Sequence, residues 1–347
     1  MKNEINKIKH FLKNKASTLC EKLENNVIAK TGIPCTIIYG PVPSRRLGLS
    51  LGINNMRCKI CTYDCIYCQV GKTKCCTTCY EPCLSPYELF CFVKKKLQKL
   101  EAKGLEIDYI SFVPNGEPTI DKSLGKNIHI LRDFGYKIAV FTNSSLLWND
   151  NVKENLLFAD YISVKVDSVN DKTWQIINRP HTRLSQDIIL KGIIDFAEIY
   201  NGKLTTETML VKNINDNIKE IEQVGNFLKK FRSDKSYFTI PTRPPTESFA
   251  IAPDRKTLDL LADYILKNIQ NSEILFSPES NSFYAAGEIG DEILGITRVH
   301  PMREESLLKL IKDMGGRKEI LESMLKQHLI TKTFYQNVNF YSANISG

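Results

Sequence analysis

No stretch of the 347 residues approaches 18 consecutive apolar side chains, so no membrane-crossing helix is expected. The start MKNEINKIKHFLKNK lacks the apolar core of a secretion signal, and a cytoplasmic location follows as an expectation. There is no solenoid-type repeat. The GKT at Gly71 to Thr73 lacks the upstream signature of a phosphate-binding P-loop, which excludes that class of nucleotide hydrolase. What remains is a chain long enough for one large domain and one small one, with 42% hydrophobic residues to fill a core.

The formal charge is +8, which permits a polyanionic partner such as RNA without requiring one. Lysines supply most of it and are spread over KIKHFLKNK, VKKKLQKLEAK and FLKKFRSDK, as on solvated helix faces. Residues 3–27 place Ile5, Ile8, Phe11, Leu12, Ala16, Leu19 and Leu23 at helical spacing, predicting an amphipathic extension over residues 1–32 that braces the fold or presents lysines to a partner.

Cysteine is the opposite case. Of eleven, nine fall between Cys58 and Cys91, which reads as metal or redox chemistry in a reducing compartment. Cys61, Cys65 and Cys68 are spaced Cys-x3-Cys-x2-Cys, so one loop aims three thiols at one point and offers no fourth. Three soft ligands suit an iron–sulfur cubane with one iron left open to a chelating substrate. The competing reading is a zinc knuckle that borrows a fourth ligand from Cys58, Cys75 or Cys76. A second group, Cys75, Cys76, Cys79 and Cys83, has thiols enough for another iron–sulfur cluster or a zinc, or for a structural knuckle.

On both sides of the cysteine loop lie short β-rich runs, and after it they alternate with helical ones. Ser50 to Ile53, Ile107 to Val113, Lys137 to Asn143, Asp160 to Val166, Leu204 to Val211 and Tyr237 to Pro241 read as strands, and a helix is predicted from Pro86 to Gly104, with others near 122–134, 151–158, 185–199 and 216–230. Such alternation predicts an α/β fold, a partial (β/α)6 TIM-like barrel over residues 33–252, with chemistry at the carboxyl ends of its strands. Residues 253–295 read as a connecting α/β segment. Residues 296–347 give helix, Gly-Gly turn, helix and two β-rich runs, a small C-terminal winged-helix-like domain suited to nucleic acid, to protein docking or to capping the barrel.

Several motifs fall in order along about residues 36 to 345: YGPVPSRRLGLSLGI, Tyr67 ahead of the third cysteine, FVPNGEPT, FTNSSLL, ISVKVDSVNDKTWQIINRP, TETMLVKNIND and IPTRPPTES. Together they resemble the radical S-adenosylmethionine (SAM) superfamily, in the branch of wyosine-type tRNA-modifying Fe–S oxidoreductases. The resemblance implies a [4Fe–4S] cluster on Cys61, Cys65 and Cys68 with SAM on the open iron, reductive cleavage to a 5′-deoxyadenosyl radical, and an electron donor such as ferredoxin or flavodoxin. It implies SAM contacts from Tyr67, Asn115, Gly116, Glu117, Pro118, Thr142, Asn143, Ser144 and Arg179; Asn115 stands where many relatives carry glycine. Taken alone, GEPT is a turn and Thr142 to Ser144 a cap.

Lys165 and Asp167 lie two apart on one strand and share a face, as do Thr205, Glu207 and Met209. Facing into a barrel, Lys165, Asp167 and Glu207 are catalytic candidates, with a structural salt bridge as the alternative. Ser44, Arg45 and Arg46 suit a clamp on carboxylate or phosphate, or a tie for a charged loop. Two substrates are expected: tRNA, or a protein or peptide in the manner of an activase or maturation factor.

Overall fold

The computed structural model describes residues 37–56, 58–80, 85–278 and 280–344. The amphipathic extension and Cys83 lie outside these residues. Two strands, β1 (Ile38–Ser44) and β2 (Gly48–Ile53), open the fold as an antiparallel pair. The cysteine segment follows, with the two-residue strands β3 (Ile60–Cys61) and β4 (Cys75–Cys76), and then α1 (Pro86–Glu101).

Strands and helices now alternate as expected: β5 (Tyr109–Phe112), α2 (Leu124–Leu131), β6 (Lys137–Thr142), α3 (Asp150–Leu156), β7 (Tyr161–Lys165), α4 (Asp171–Asn178), α5 (Gln186–Ile199), β8 (Lys203–Met209), α6 (Ile218–Leu228), β9 (Lys235–Thr239), α7 (Arg255–Asn268) and β10 (Ser272–Leu275). The sheet order is β1-β2-β5-β6-β7-β8-β9-β10, parallel from β2 onward. The six expected strands are all present, flanked by β1 and β10. Both flanking strands escaped the sequence pattern for a physical reason. In β1, IYGPVPS carries one glycine and two prolines, tolerable only at an edge, and β10 is a four-residue run beginning with Ser and Glu. The curled sheet leaves β1 and β10 at its two edges, and Arg45, in the β1–β2 turn, donates to the Leu275 carbonyl at the end of β10 at 2.9 Å.

Strand alternation divides the barrel into two chemistries. Leu51, Ile53, Ile110, Phe112, Ile138, Val140, Ile162, Val164, Leu204 and Phe238 turn outward to the helices and are buried. Each such side chain contributes about 1.5–3 kcal/mol. The alternate positions, Ser50, Ser111, Ser163, Lys165, Thr205, Glu207, Tyr237 and Thr239, include most of the polar groups on which the site depends. Helix starts carry their own signals: Asn149, Asn170, Asn217 and Asp254 each cap a helix by accepting from main-chain N–H groups.

The last segment forms α8 (Ile289–Val299), β11 (Met302–Arg303), α9 (Glu304–Asp313), α10 (Glu319–Lys326), β12 (Ile330–Tyr335) and β13 (Val338–Ala343), with sheet order β11-β13-β12. The order is helix, strand, helix, helix and hairpin. Its buried cluster already includes Phe283, Ala285 and Ile293, and takes in Tyr39 from β1, so the module covers the antiparallel edge of the barrel. A buried ion pair, Lys96 with Glu292, ties α1 to α8.

Within the module, Glu304 accepts from Asn339 Nδ2 at 2.8 Å, Tyr341 Oη at 2.7 Å and Lys332 Nζ at 3.3 Å, contacts that hold its carboxyl down to about 2. A carboxylate whose folded pKa is depressed stabilises fully above its ordinary range, and loses that contribution as pH falls toward the folded value. Between about pH 4.5 and 2, Glu304→Gln should therefore lose less stability than the wild type. Urea unfolding at several pH values reads this directly.

Candidate active site

The cysteine loop leaves the carboxyl end of β2 and is pinned on several sides. Asp64 N donates to Asn178 O at 3.1 Å, Ile66 N to Ile177 O at 3.0 Å, and His181 N to Thr62 O at 2.9 Å. Glu247 N donates to Ile66 O at 2.9 Å and Thr246 Oγ1 to Cys68 O at 2.8 Å. The end of α4 and the loop after β9 thus brace it.

On this loop Lys59 stands against Cys68. Its ammonium lies 3.1 Å from Cys68 Sγ, and although burial pulls its pKa down, Cys68, Cys61 and Cys65 together raise it above the ordinary range. Asn143 Nδ2 stands 3.5 Å from Cys61 Sγ and Asn178 Nδ2 3.5 Å from Cys65 Sγ. Burial pushes the Cys61 thiol up to about 12 and Cys65 higher still, so metal binding must displace their protons.

Among the described residues, no three His, Cys, Asp or Glu side chains gather closely enough to hold a single metal ion. Three soft donors on one loop, too dispersed for a single ion, fit an iron–sulfur cluster, whose ligands stand farther apart than those of a single zinc. The second cysteine group lies beside it. Strands β3 and β4 pair in parallel with Cys61 opposite Cys76, and Cys75, Cys76 and Cys79 are free thiols.

The Gly-Glu-Pro turn packs directly on the cysteine loop. A Cβ on Gly116 would collide with the Ile60 carbonyl, while Glu117 N donates to that same oxygen at 3.1 Å. The Glu117 carboxylate is 2% exposed and accepts from Thr119 N and Oγ1, Thr142 Oγ1 at 2.6 Å and Asn143 N at 2.7 Å. It therefore fastens the turn to the end of β6. Pro118 opens a short buried 3-10 turn. Asn115 is 1% exposed, and among the described residues neither atom of its amide has a hydrogen-bond partner. An unsatisfied buried amide beside this turn is the kind of group that a bound ligand completes.

Gly116→Ala should push the cysteine loop away from the turn. Iron retained after anaerobic reconstitution is expected to fall at least fivefold; full iron content would show that the loop tolerates the displacement.

Just past β6, Asn143 lines a narrow cavity shared with Lys165, Asp167, Asn178 and Gln186. Thr142 Oγ1 is taken by Glu117, and Ser144, at φ 71°, bonds the main chain of Lys165. Arg179 caps α4 and pairs with Glu247 at 2.5 Å, which ties two loops together outside the barrel interior.

Inside the barrel, register joins what the sequence separates. Lys165 stands opposite Glu207, and their charged groups are 2.7 Å apart; Lys165 to Asp167 is 3.9 Å. Arg46 also pairs with Glu207, donates to Ser163 Oγ at 3.2 Å and lies 4.6 Å from the Tyr237 ring centroid. Burial would raise the Glu207 pKa, but Arg46 and Lys165 outweigh it and hold the carboxylate well below its ordinary range. Asp167 is 3% exposed and accepts from Met209 N at 2.9 Å, Asn178 Nδ2 at 2.7 Å and the Tyr67 hydroxyl. The Lys165 ammonium sits 4.9 Å from the Tyr67 ring centroid.

Sequence reading named Lys165, Asp167, Glu207 and Tyr67, but missed Lys59 and Asn178 as partners of the thiols. Lys59 lies between Cys58 and Cys61 and Asn178 opens the NRP motif, so proximity to those motifs was the only available signal.

The Radical SAM superfamily profile matches residues 57–228, which span the cysteine loop through α6. A UPF0026 protein of Methanocaldococcus jannaschii is 42% identical over 89% of this chain and 97% of its own. The chain belongs to the UPF0026 family, within the radical SAM superfamily. A SAM-dependent nucleotide dehydratase of Flammeovirga pacifica is 27% identical over 41% of this radical SAM protein and 55% of its own length. The fold is similar to that of a radical SAM methyltransferase from Sphaerobacter thermophilus, with TM-score 0.53 and 14% identity, covering 77% of this chain and 84% of that one. Family membership makes the protein an enzyme that uses a [4Fe–4S] cluster and SAM.

Proposed function

We propose that this enzyme modifies a nucleotide of tRNA by radical chemistry inside its barrel. The observation that carries this reading is the position of the cysteine loop between the barrel and the winged-helix-like module. Gln69, next to Cys68, donates to Val299 O of the module at 3.0 Å and accepts from Arg243 at 2.8 Å, while Tyr335 of the wing reaches Pro241 O after β9 at 3.4 Å. A module of that kind beside the barrel suits holding a nucleic acid strand while one unit enters. The +8 charge and the similarity to a nucleotide dehydratase point the same way.

Cys61, Cys65 and Cys68 would hold the cluster, and the Asn115 amide, Asn143 and Tyr67 would bear on SAM. When bound, these cofactors supply the reductive cleavage that gives a 5′-deoxyadenosyl radical. The chain's own part is to orient and to keep the site dry. Asn143 and Asn178 fix the flanks of the loop, Glu117 locks the turn beneath it, and the Arg46–Glu207–Lys165 chain holds the barrel interior rigid and charge-balanced. A carboxylate held as low as Glu207 is a poor proton acceptor, so Glu207 acts as an anchor and Lys165, over the Tyr67 ring, as the group that meets a ligand. A ferredoxin or flavodoxin would supply the electron. No helix among the described residues is long and apolar enough to cross a membrane.

A second reading, action on a protein or peptide, is favoured by the thiols of Cys75, Cys76 and Cys79 beside the cluster loop. Metal stoichiometry tests whether they carry a second site: a single cluster gives about four irons per chain and no zinc, whereas a second cluster gives about eight. The function itself is tested anaerobically with dithionite and SAM, first for 5′-deoxyadenosine, then for product in tRNA and peptide fractions. A modified peptide with unmodified tRNA would overturn the tRNA reading.

A further inference from the structure

We infer that Lys59 tunes the cluster: its ammonium donates a hydrogen bond to the Cys68 sulfur and raises the reduction potential of the iron–sulfur group held there. The inference goes beyond the choice of substrate. It rests on the reading that Cys68 is a cluster ligand, whichever molecule enters the barrel.

Lys59 is 4% exposed and precedes Cys61 by two residues. Its main chain is fixed, because its carbonyl accepts from Lys74 N at 3.0 Å and Cys75 N at 3.3 Å. Its Nζ lies 3.1 Å from Cys68 Sγ, and no Asp or Glu among the described residues forms an ion pair with it. Lys96 and Lys165, by contrast, are each met by a carboxylate, Glu292 for the first and Glu207 at 2.7 Å for the second. The partner provided for the Lys59 ammonium is a sulfur.

Burying an ammonium is costly unless a negative charge answers it. A neutral thiol returns little of that cost, whereas a thiolate ligand returns much of it as a charge-assisted hydrogen bond. A ligating sulfur therefore accounts for the position of Lys59. Reduction of the cluster adds one electron and breaks no bond; the electron comes from a one-electron reductant, a ferredoxin or flavodoxin, or dithionite in the test. The added negative charge is drawn to a fixed positive charge that water screens poorly at a buried site. Net charge and hydrogen bonds to the sulfurs are two of the levers that set such potentials, and Lys59 works both. Asn143 and Asn178 bring neutral amides to Cys61 and Cys65 at 3.5 Å, while Lys59 brings a full charge to Cys68.

The test uses full-length, anaerobically reconstituted protein without SAM, titrated potentiometrically with dithionite and read by the electron paramagnetic resonance of the reduced cluster. Lys59→Met keeps an unbranched side chain and removes the charge. It is expected to shift the reduction equilibrium at least tenfold toward the oxidised form, about 59 mV for one electron. The sign separates this role from a structural one, because a loosened loop admits water, which favours the more highly charged reduced form and moves the potential the other way. An unchanged or higher potential in cluster-loaded Lys59→Met overturns the inference. Should that variant lose its cluster, wild-type protein carrying nitrogen-15 at the Nζ of its lysines decides: hyperfine coupling of that nitrogen to the reduced cluster upholds the inference, and its absence overturns it. Iron content of Cys68→Ser is scored separately. Full cluster there sinks the ligand assignment, whereas an unchanged potential in Lys59→Met beside a cluster-free Cys68→Ser sinks the inference about Lys59 alone.

Discussion

Serine in place of any one of Cys61, Cys65 or Cys68 is expected to reduce retained iron from about four per chain to less than one and to abolish formation of 5′-deoxyadenosine. The loop offers three thiols and no fourth, so a missing sulfur is not replaced locally. Each thiol is also set by a different neighbour: Asn143 beside Cys61, Asn178 beside Cys65 and Lys59 beside Cys68. Those neighbours hold the remaining two where they are, and Cys76, although opposite Cys61 in the β3–β4 pair, has its thiol directed to the Thr62 carbonyl at 3.6 Å. Cys75→Ser, Cys76→Ser and Cys79→Ser, by contrast, should retain the cluster and SAM cleavage. Iron and sulfide analysis with the visible absorption of the cluster checks both halves. Full cluster content in Cys65→Ser would mean that another residue completes the site.

Glu207→Leu is expected to destabilise the protein by about 3–5 kcal/mol. The substitution leaves the buried Arg46 guanidinium and Lys165 ammonium facing each other across the barrel without the carboxylate that now serves both. Asp167 compensates only in part, since it stands 3.9 Å from Lys165 and already accepts from Tyr67, Asn178 and Met209 N. Adding Arg46→Met to Glu207→Leu removes one stranded charge and leaves Lys165 with Asp167, so the double variant should recover more than half of the loss. Urea unfolding of the wild type, Glu207→Leu, Arg46→Met and the double variant gives the coupling energy. A single-variant loss below about 1 kcal/mol would show that water screens this network as it does surface pairs.

The Arg46–Glu207 pair shows where sequence reading stops. Period-two alternation puts Glu207 on the same face as Thr205 and Met209, and Lys165 on the same face as Asp167, because successive side chains of a strand alternate whatever surrounds them. That Lys165 lies opposite Glu207 depends on the register of β7 with β8, and that Arg46 reaches both depends on how far the sheet curls. Neither is written in local spacing. The same limit applies to Gly116. The Gly-Glu-Pro pattern was visible as a turn, yet the carbonyl that requires glycine there belongs to Ile60, 56 residues earlier.

By itself, then, the sequence determined the placing of three cysteines on one loop, the alternation of strands and helices, the polar inner face of the strands and the helix–hairpin plan of the last module. Each of these follows from short-range periodicity or from side chains within a few residues of one another. Only the tertiary structure decided that Lys59 sits beside the Cys68 thiol, that Thr142 and Ser144 are engaged by Glu117 and the Lys165 main chain while Asn143 faces a cavity, and that Gln69 joins the cluster loop to the module. Those contacts arise from cross-strand register and loop packing, where residues far apart in the chain meet because burial of the apolar faces leaves them no other place.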